Sequence, residues 1–478
     1  MTAGRTIFKN FLSLTFSNAV SKVAGLVTVV YLARALAPAE FGKMNFALAL
    51  VSYFSILAHL GLGTIGIREL AQNPSGRDRC IDRILSLRIL LGLAAFVLLA
   101  LFAFFLKEAS DVKQLVLFYG LTMFTANVFT FDWVFQAIEK MEYLGFAAAV
   151  QGLVYLALII LLVKGTGDLL LIPWLLLAAQ GCAVVFMVLA YRRLYPGFAF
   201  SFSLPENWEM LKQALPIALW GILTVVILNS GITILGFLRS PGEVGYFSAA
   251  YKVIWILVET LVAYISAVFP AMARSHALSQ EAFGAILDRT LRLATLVCFP
   301  AVTGLYMLSV PVTGLIYGSK FSDAAAILAF LAVLPYLIFL TNLYSHALIA
   351  AHHQTKVLKL SSIQAVLIVL LNLALIPQYG AKGLAAAAVI ATAVTNYLYR
   401  LETGRFVRLR RFLPYKPLLA SLAMALALKF TALRPLYVTI PLGAAVYAAA
   451  VLLLREVTSE DMRSIKTLFA RSPEGGAA

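Results

Sequence analysis

Long apolar runs recur along the chain, separated by short segments that gather charge, proline and glycine. Ile84–Leu106, Leu169–Ala190 and Ile363–Ile376 with its flanks show the pattern. Each is continuous, rich in Leu and Ala, and with its flanks reaches the ~20 residues a helix needs to cross a bilayer. A transmembrane barrel would read instead as alternating segments of about ten residues. Breaking the chain at its charged and Pro/Gly clusters predicts about fourteen spans, centred near residues 22, 54, 95, 125, 153, 179, 226, 257, 304, 337, 367, 391, 424 and 445. The expected fold class is an all-α polytopic membrane protein.

The first turn between spans carries a motif that returns. Pro38-x-Glu40-x-Gly42 matches Pro241-x-Glu243-x-Gly245, 203 residues further on. "DRILSLRI" from Asp82 and "DRTLRLAT" from Asp288 follow in order, as do "QGLVYLAL" from Gln151 and "QAVLIVLL" from Gln364. Spans 1–6 and 7–12 therefore read as two copies of one unit, with spans 13 and 14 appended. An even number of spans per copy gives both the same orientation, related by a pseudo-two-fold along the membrane normal, as in transporters that rock two halves. The expected division is 1–200 and 201–405 for the two six-helix bundles, 406–456 for the added helices and 457–478 for a cytoplasmic tail. In the turn itself, proline is expected to stop the preceding helix, glycine to permit a tight reversal and the acid to cap the next helix.

Composition agrees with a membrane location: of 478 residues 62% are hydrophobic and 13% charged, where soluble domains carry roughly a quarter charged residues. The formal net charge is +16, and 25 of the 38 Lys and Arg fall in segments 1–11, 67–84, 137–145, 191–212, 273–292, 352–359, 400–416 and 455–478. Basic residues mark cytoplasmic loops, which puts both termini in the cytoplasm. Scattering over eight membrane-flanking segments implies no nucleic-acid partner but does imply contact with anionic membrane lipids. The densest segment, 400–416, reads as a topology anchor, with docking of a partner or of headgroups as the alternative. Cys80, Cys182 and Cys298 have no zinc or redox spacing, and no phosphate loop or metal set is found. No cofactor is implied. External loops under about ten residues leave no place for the catalytic loop of a glycan polymerase or ligase, which favours a transporter over an enzyme.

Polar residues inside the spans fall on stripes. Thr15, Asn18, Lys22 and Gly25 share a face of span 1; Asn45, Ser52, Ser55 and His59 share one of span 2; Asn229, Ser230 and Thr233 belong to span 7; and Ser248, Lys252, Trp255, Glu259 and Ser266 form the clearest stripe, on span 8. Packing glue between helices is one reading; a shared aqueous cavity is the other, since intramembrane ionisable groups tend to face such cavities. Lys22 and Lys252 are the candidate fixed cations. Lys252 can also snorkel. Glu259 and Asp132 are candidates for coupling to an ion; structural hydrogen bonding is the alternative for Glu259, and a structural contact to Arg or Lys is the favoured reading of Asp132.

"HLGLGTIGIRELAQN" at 59–73, "FDWVFQAIEKMEYLGFAAAV" at 131–150, "PGEVGYFSAAYKV" at 241–253 and "LIYGSKFSDAAAILAFLA" at 315–332 resemble the bacterial polysaccharide transporter family. These are the Wzx-type oligosaccharide flippases of the multidrug/oligosaccharidyl-lipid/polysaccharide superfamily. The resemblance implies movement of a polyprenyl-diphosphate-linked oligosaccharide to the outer leaflet of the cytoplasmic membrane by alternating access, for O-antigen, capsule or exopolysaccharide assembly. It also implies the polysaccharide polymerase machinery as a partner. On that reading Lys22 and Lys252 hold the diphosphate, while Asn18, Asn45, Asn229 and Trp255 meet glycan hydroxyls. Lysines rather than arginines, and few of them, depart from the strongly basic cavity such a substrate calls for. A lipid II flippase and a cation-coupled drug antiporter of the same superfamily are the alternatives.

Overall fold

The computed structural model describes residues 3–73, 76–195, 202, 208–407, 414–431 and 435–456. In chain order the helices are α1 (Ala3–Ala35), α2 (Pro38–His59), α3 (Leu62–Gln72), α4 (Arg77–Phe105), α5 (Ser110–Met123), α6 (Asp132–Ala137), α7 (Met141–Leu162), α8 (Ile172–Leu194) and α9 (Trp208–Leu238). They continue with α10 (Pro241–Leu278), α11 (Gln280–Met307), α12 (Ser309–Tyr317), α13 (Ala324–Leu331), α14 (Leu334–Ala350), α15 (Gln354–Gly404), α16 (Tyr415–Phe430) and α17 (Leu436–Leu453). A π-helical turn, Phe124–Val128, follows α5. No strand occurs among the described residues.

Among those residues 11 helical stretches are long and apolar enough to cross a membrane. One of them, Gln354–Gly404, breaks at Gly380, where φ is 56° and ψ is −135°, and so makes two passes. With α1 and the 16-residue α16, fourteen passes fall where the apolar pattern puts them. One loop differs from expectation. The segment 308–323 is not a short external turn: it folds as α12 and a 3-10 turn at Ser319–Phe321. Its apolar residues explain this. Phe321 is fully buried against Phe41 and Tyr246, and the Tyr317 hydroxyl donates to the Ala249 carbonyl at 2.9 Å.

The chain packs as two compact units. The first comprises Met1–Ala249, Ile316–Phe321 and Ser361–Ala387; the second comprises Ala250–Leu315, Ser322–Leu360 and Ala388–Ala478. Leu62, Ile84, Trp133, Phe135 and Tyr191 centre the core of the first. In the second, Phe283, Leu287, Phe339 and Leu343 form one core. A further cluster joins α16 and α17 to α11 through Met424, Leu428 and Tyr447, whose hydroxyl donates to the Leu296 carbonyl at 3.0 Å.

Within the first unit the repeated Pro-x-Glu-x-Gly motifs meet. Each proline opens a helix, α2 or α10, where its missing N–H is no loss and its fixed φ is helical. The glycines make no reversal: both lie in the first helical turns, and neither has a positive φ. Their role is close approach. A Cβ on Gly42 would overlap the Pro241 carbonyl, and one on Gly245 would overlap the Pro38 carbonyl. The contact is reciprocal. The acids do not cap their own helices either. The N-terminus of α2 has no side-chain cap, whereas Glu243 accepts the Ala381 amide at 2.9 Å.

That last bond completes the break at Gly380. A break between two passes leaves helix-end backbone groups without intrahelical partners. Arg239 donates to the carbonyls of Ile376, at 3.3 Å, and Pro377, at 2.5 Å, while Glu243 takes the amide beyond the break. The end of α9 and the start of α10 thus cap both sides of the kink in α15. Only glycine fits there, because the backbone is left-handed and a Cβ would strike the Glu243 carboxylate.

Candidate functional site

The first unit holds a buried charge that the reading of polar stripes passed over. Arg88 stands near the middle of α4, follows Ile84, Leu85 and Leu87, and is 4% exposed. Its Nε and Nη1 have no hydrogen-bond partner. The guanidinium lies 5.6 Å from the Trp133 ring centroid, and Gly63 of α3 leaves the space it occupies. Two titratable groups share its field, His59 and Asp132.

Local structure places both of these. His59 ends α2, and its Nδ1 accepts the Gly61 amide at 3.2 Å across a turn in which Leu60 and Gly61 have φ of 40° and 73°. Asp132 opens α6 just after the π-helical turn, an irregularity often found at functional sites. The Thr130 hydroxyl donates to Asp132 Oδ1 at 2.7 Å. An arginine at the centre of a spanning helix costs about 2.5–3.5 kcal/mol on insertion scales, so one whose Nε and Nη1 lack hydrogen-bond partners calls for a use. The signal was in the sequence, a single Arg inside the apolar pass "ILSLRILLGLAAF".

The other expected residues of this unit have settings of their own. Lys22 is exposed on α1, and the Asn18 side chain is outside the described residues. Asn45 is buried and donates to Phe41 of its own helix at 2.7 Å. Asn229, half-buried, donates to Val225 at 3.3 Å. Both amides therefore serve carbonyls one turn back. Asn372, which the stripes did not include, is fully buried and donates to Ser230 at 3.4 Å, with its Oδ1 unpartnered.

In the second unit α10 gathers Lys252, Trp255 and Glu259 on one face, all half-buried. Trp255 Nε1 donates to Glu259 Oε1 at 3.1 Å, which fixes the indole. The Tyr251 ring lies 5.9 Å from that of Trp255 at an interplanar angle of 31°. An aromatic pair, a carboxylate and an ammonium on one helix can hold a polar, ring-shaped ligand and an anion side by side.

Many apolar passes, a buried cation in one unit and a polar aromatic face in the other define a polytopic helical membrane protein. Comparison with known proteins narrows the class. The chain belongs to the polysaccharide biosynthesis protein family, which matches residues 7–276. It is similar to the "Putative O-antigen transporter" of Escherichia coli (strain K12), 21% identical over 363 residues, 73% of this chain and 84% of that one. Among solved structures, the lipid II flippase MurJ in an inward closed conformation superposes with a TM-score of 0.76 at 16% identity, covering 93% of this chain and 99% of that one. An inward-facing multidrug resistance MATE transporter superposes with a TM-score of 0.64 at 13% identity, covering 81% and 95%. These superpositions establish the fold.

Proposed function

We propose that this chain is a flippase carrying a polyprenyl-diphosphate-linked oligosaccharide from the inner to the outer leaflet of the bacterial cytoplasmic membrane, for O-antigen, capsule or exopolysaccharide assembly. Arg88 is the observation that carries the reading. A planar guanidinium in low dielectric is the strongest side-chain partner for a diphosphate, and it supplies the arginine that the sequence reading lacked. Lys22 and Lys252 add positive charge. Asn18, Asn45, Asn229 and Trp255 meet the glycan, Glu259 and Asp132 couple the cycle to an ion, and the lipid tail stays in the bilayer. Two six-helix bundles, 1–200 and 201–405, alternate access with the helices of 406–456 appended, both termini cytoplasmic and the polymerase machinery receiving the product. The reciprocal Gly42–Pro241 and Gly245–Pro38 contacts support the pairing of two copies.

The test is the leaflet distribution of lipid-linked oligosaccharide in cells lacking the gene and any other flippase of this class. Intermediates held on the cytoplasmic leaflet, released by the wild-type protein but not by Arg88→Leu, are expected. An unchanged distribution overturns the reading. A lipid II substrate is the second reading, favoured by the fold shared along 99% of the lipid II flippase. Rescue of growth after depletion of a host's own lipid II flippase would select it.

A further inference from the structure

A cavity of about 510 Å³ opens inside the first unit, between the π-helical turn, α6, α7 and α8. Its size falls in the about 300–1,000 Å³ range of small-molecule sites. Thr125, Thr130, Asp132, Gln136, Gln151 and Gln180 supply its polar wall, and methionine, leucine, valine and alanine side chains supply the rest. Two of the polar groups are already oriented. Thr125 donates to Gln180 Oε1 at 2.7 Å, which leaves the Gln180 amide N–H groups as donors. Thr130 holds Asp132 Oδ1 at 2.7 Å and leaves Oδ2 as an acceptor. The amides of Gln136 and Gln151 make no hydrogen bond to protein among the described residues.

We infer that this cavity is a carbohydrate subsite that takes one or two sugar rings of the transported glycan; the inference rests on the proposed flippase function. Side-chain amides donate and accept at once, which suits vicinal hydroxyls, and a carboxylate oxygen takes a further hydroxyl. The apolar wall suits the C–H faces of a pyranose.

The full-length protein in lipid nanodiscs is titrated with undecaprenyl diphosphate carrying one N-acetylglucosamine and with undecaprenyl diphosphate alone. The wild type is expected to bind the sugar-bearing lipid about tenfold more tightly, ~1.4 kcal/mol. Gln151→Leu combined with Gln180→Leu is expected to erase that preference and leave the affinity for the sugar-free lipid unchanged. Ala148→Phe, which fills the cavity from α7, gives the same result if the double variant does not fold. A preference retained in both variants, absent in the wild type, or lost together with sugar-free binding overturns the inference. Failure of flipping in cells with the binding preference intact would count against the proposed function alone.

Discussion

Arg88 separates function from architecture at the scale of a single side chain. Replacing buried ionic groups by well-packed hydrophobic residues of similar volume is often neutral or stabilising when no buried partner charge is left behind, and Asp132 keeps the Thr130 hydroxyl as its hydrogen-bond donor. Arg88→Leu should therefore keep or raise the thermal midpoint of the purified protein while lowering flipping about tenfold or more, a loss of ~1.4 kcal/mol or greater in transport. A fall in both would make Arg88 a structural residue. Arg88→Lys keeps the charge but loses the planar fork, so intermediate flipping is expected. Glu259 poses a different question, because it both holds Trp255 and is an ion-coupling candidate. Glu259→Gln keeps an oxygen for the indole and removes the charge. Unchanged binding of lipid-linked glycan is expected, with the dependence of flipping on an imposed ion gradient abolished; lost binding would assign Glu259 to the glycan-binding face instead. Legibility was uneven at this scale. The cluster of Lys252, Trp255 and Glu259 follows from helical spacing alone, whereas the setting of Arg88 depends on Gly63 and Trp133, which come from other helices.

Helix ends, more than helix middles, decide how the elements join. Gly42 and Gly245 hold two helix starts at backbone contact, so Gly42→Ala forces the Pro241 carbonyl away. Overpacking of this kind typically costs about 1–3 kcal/mol, which should appear as a lowered thermal midpoint. Because the contact is reciprocal, Gly245→Ala should have a similar effect, and a pair of silent alanines would remove the close approach from the account. The kink in α15 makes a parallel case. Arg239→Met strips a half-buried and an exposed carbonyl of their donor, at about 0.5–1.5 kcal/mol for each hydrogen bond lost. Hydrogen exchange at residues following Gly380 should rise in that variant. Repeats in the sequence pointed to these motifs, but assigned glycine to a reversal and glutamate to a local cap. Both roles depend on what the partner copy and α15 bring alongside, and no local pattern carries that.

For the whole molecule, orientation is the property most open to test. With Cys80, Cys182 and Cys298 replaced, a cysteine at Lys107 should react with an impermeant maleimide from outside the intact cell, and one at Gln354 only after permeabilisation. Both positions are exposed. The reverse result would invert the topology that the basic segments imply.

The sequence by itself determined the helical membrane class, the fourteen passes, the repeated Pro-x-Glu-x-Gly motif and the resemblance to a polysaccharide family. These follow from run length, charge placement and short motifs, each local to a stretch of chain, and the bilayer imposes them strongly because unpaired backbone is intolerable in lipid. Only the tertiary structure decided that Arg88 is buried with its Nε and Nη1 lacking hydrogen-bond partners, that the repeated glycines are points of backbone contact, and that three glutamines, two threonines and Asp132 line one cavity. Those facts join residues from different helices, and the rotation of one apolar helix against another is set by packing that hydropathy does not encode.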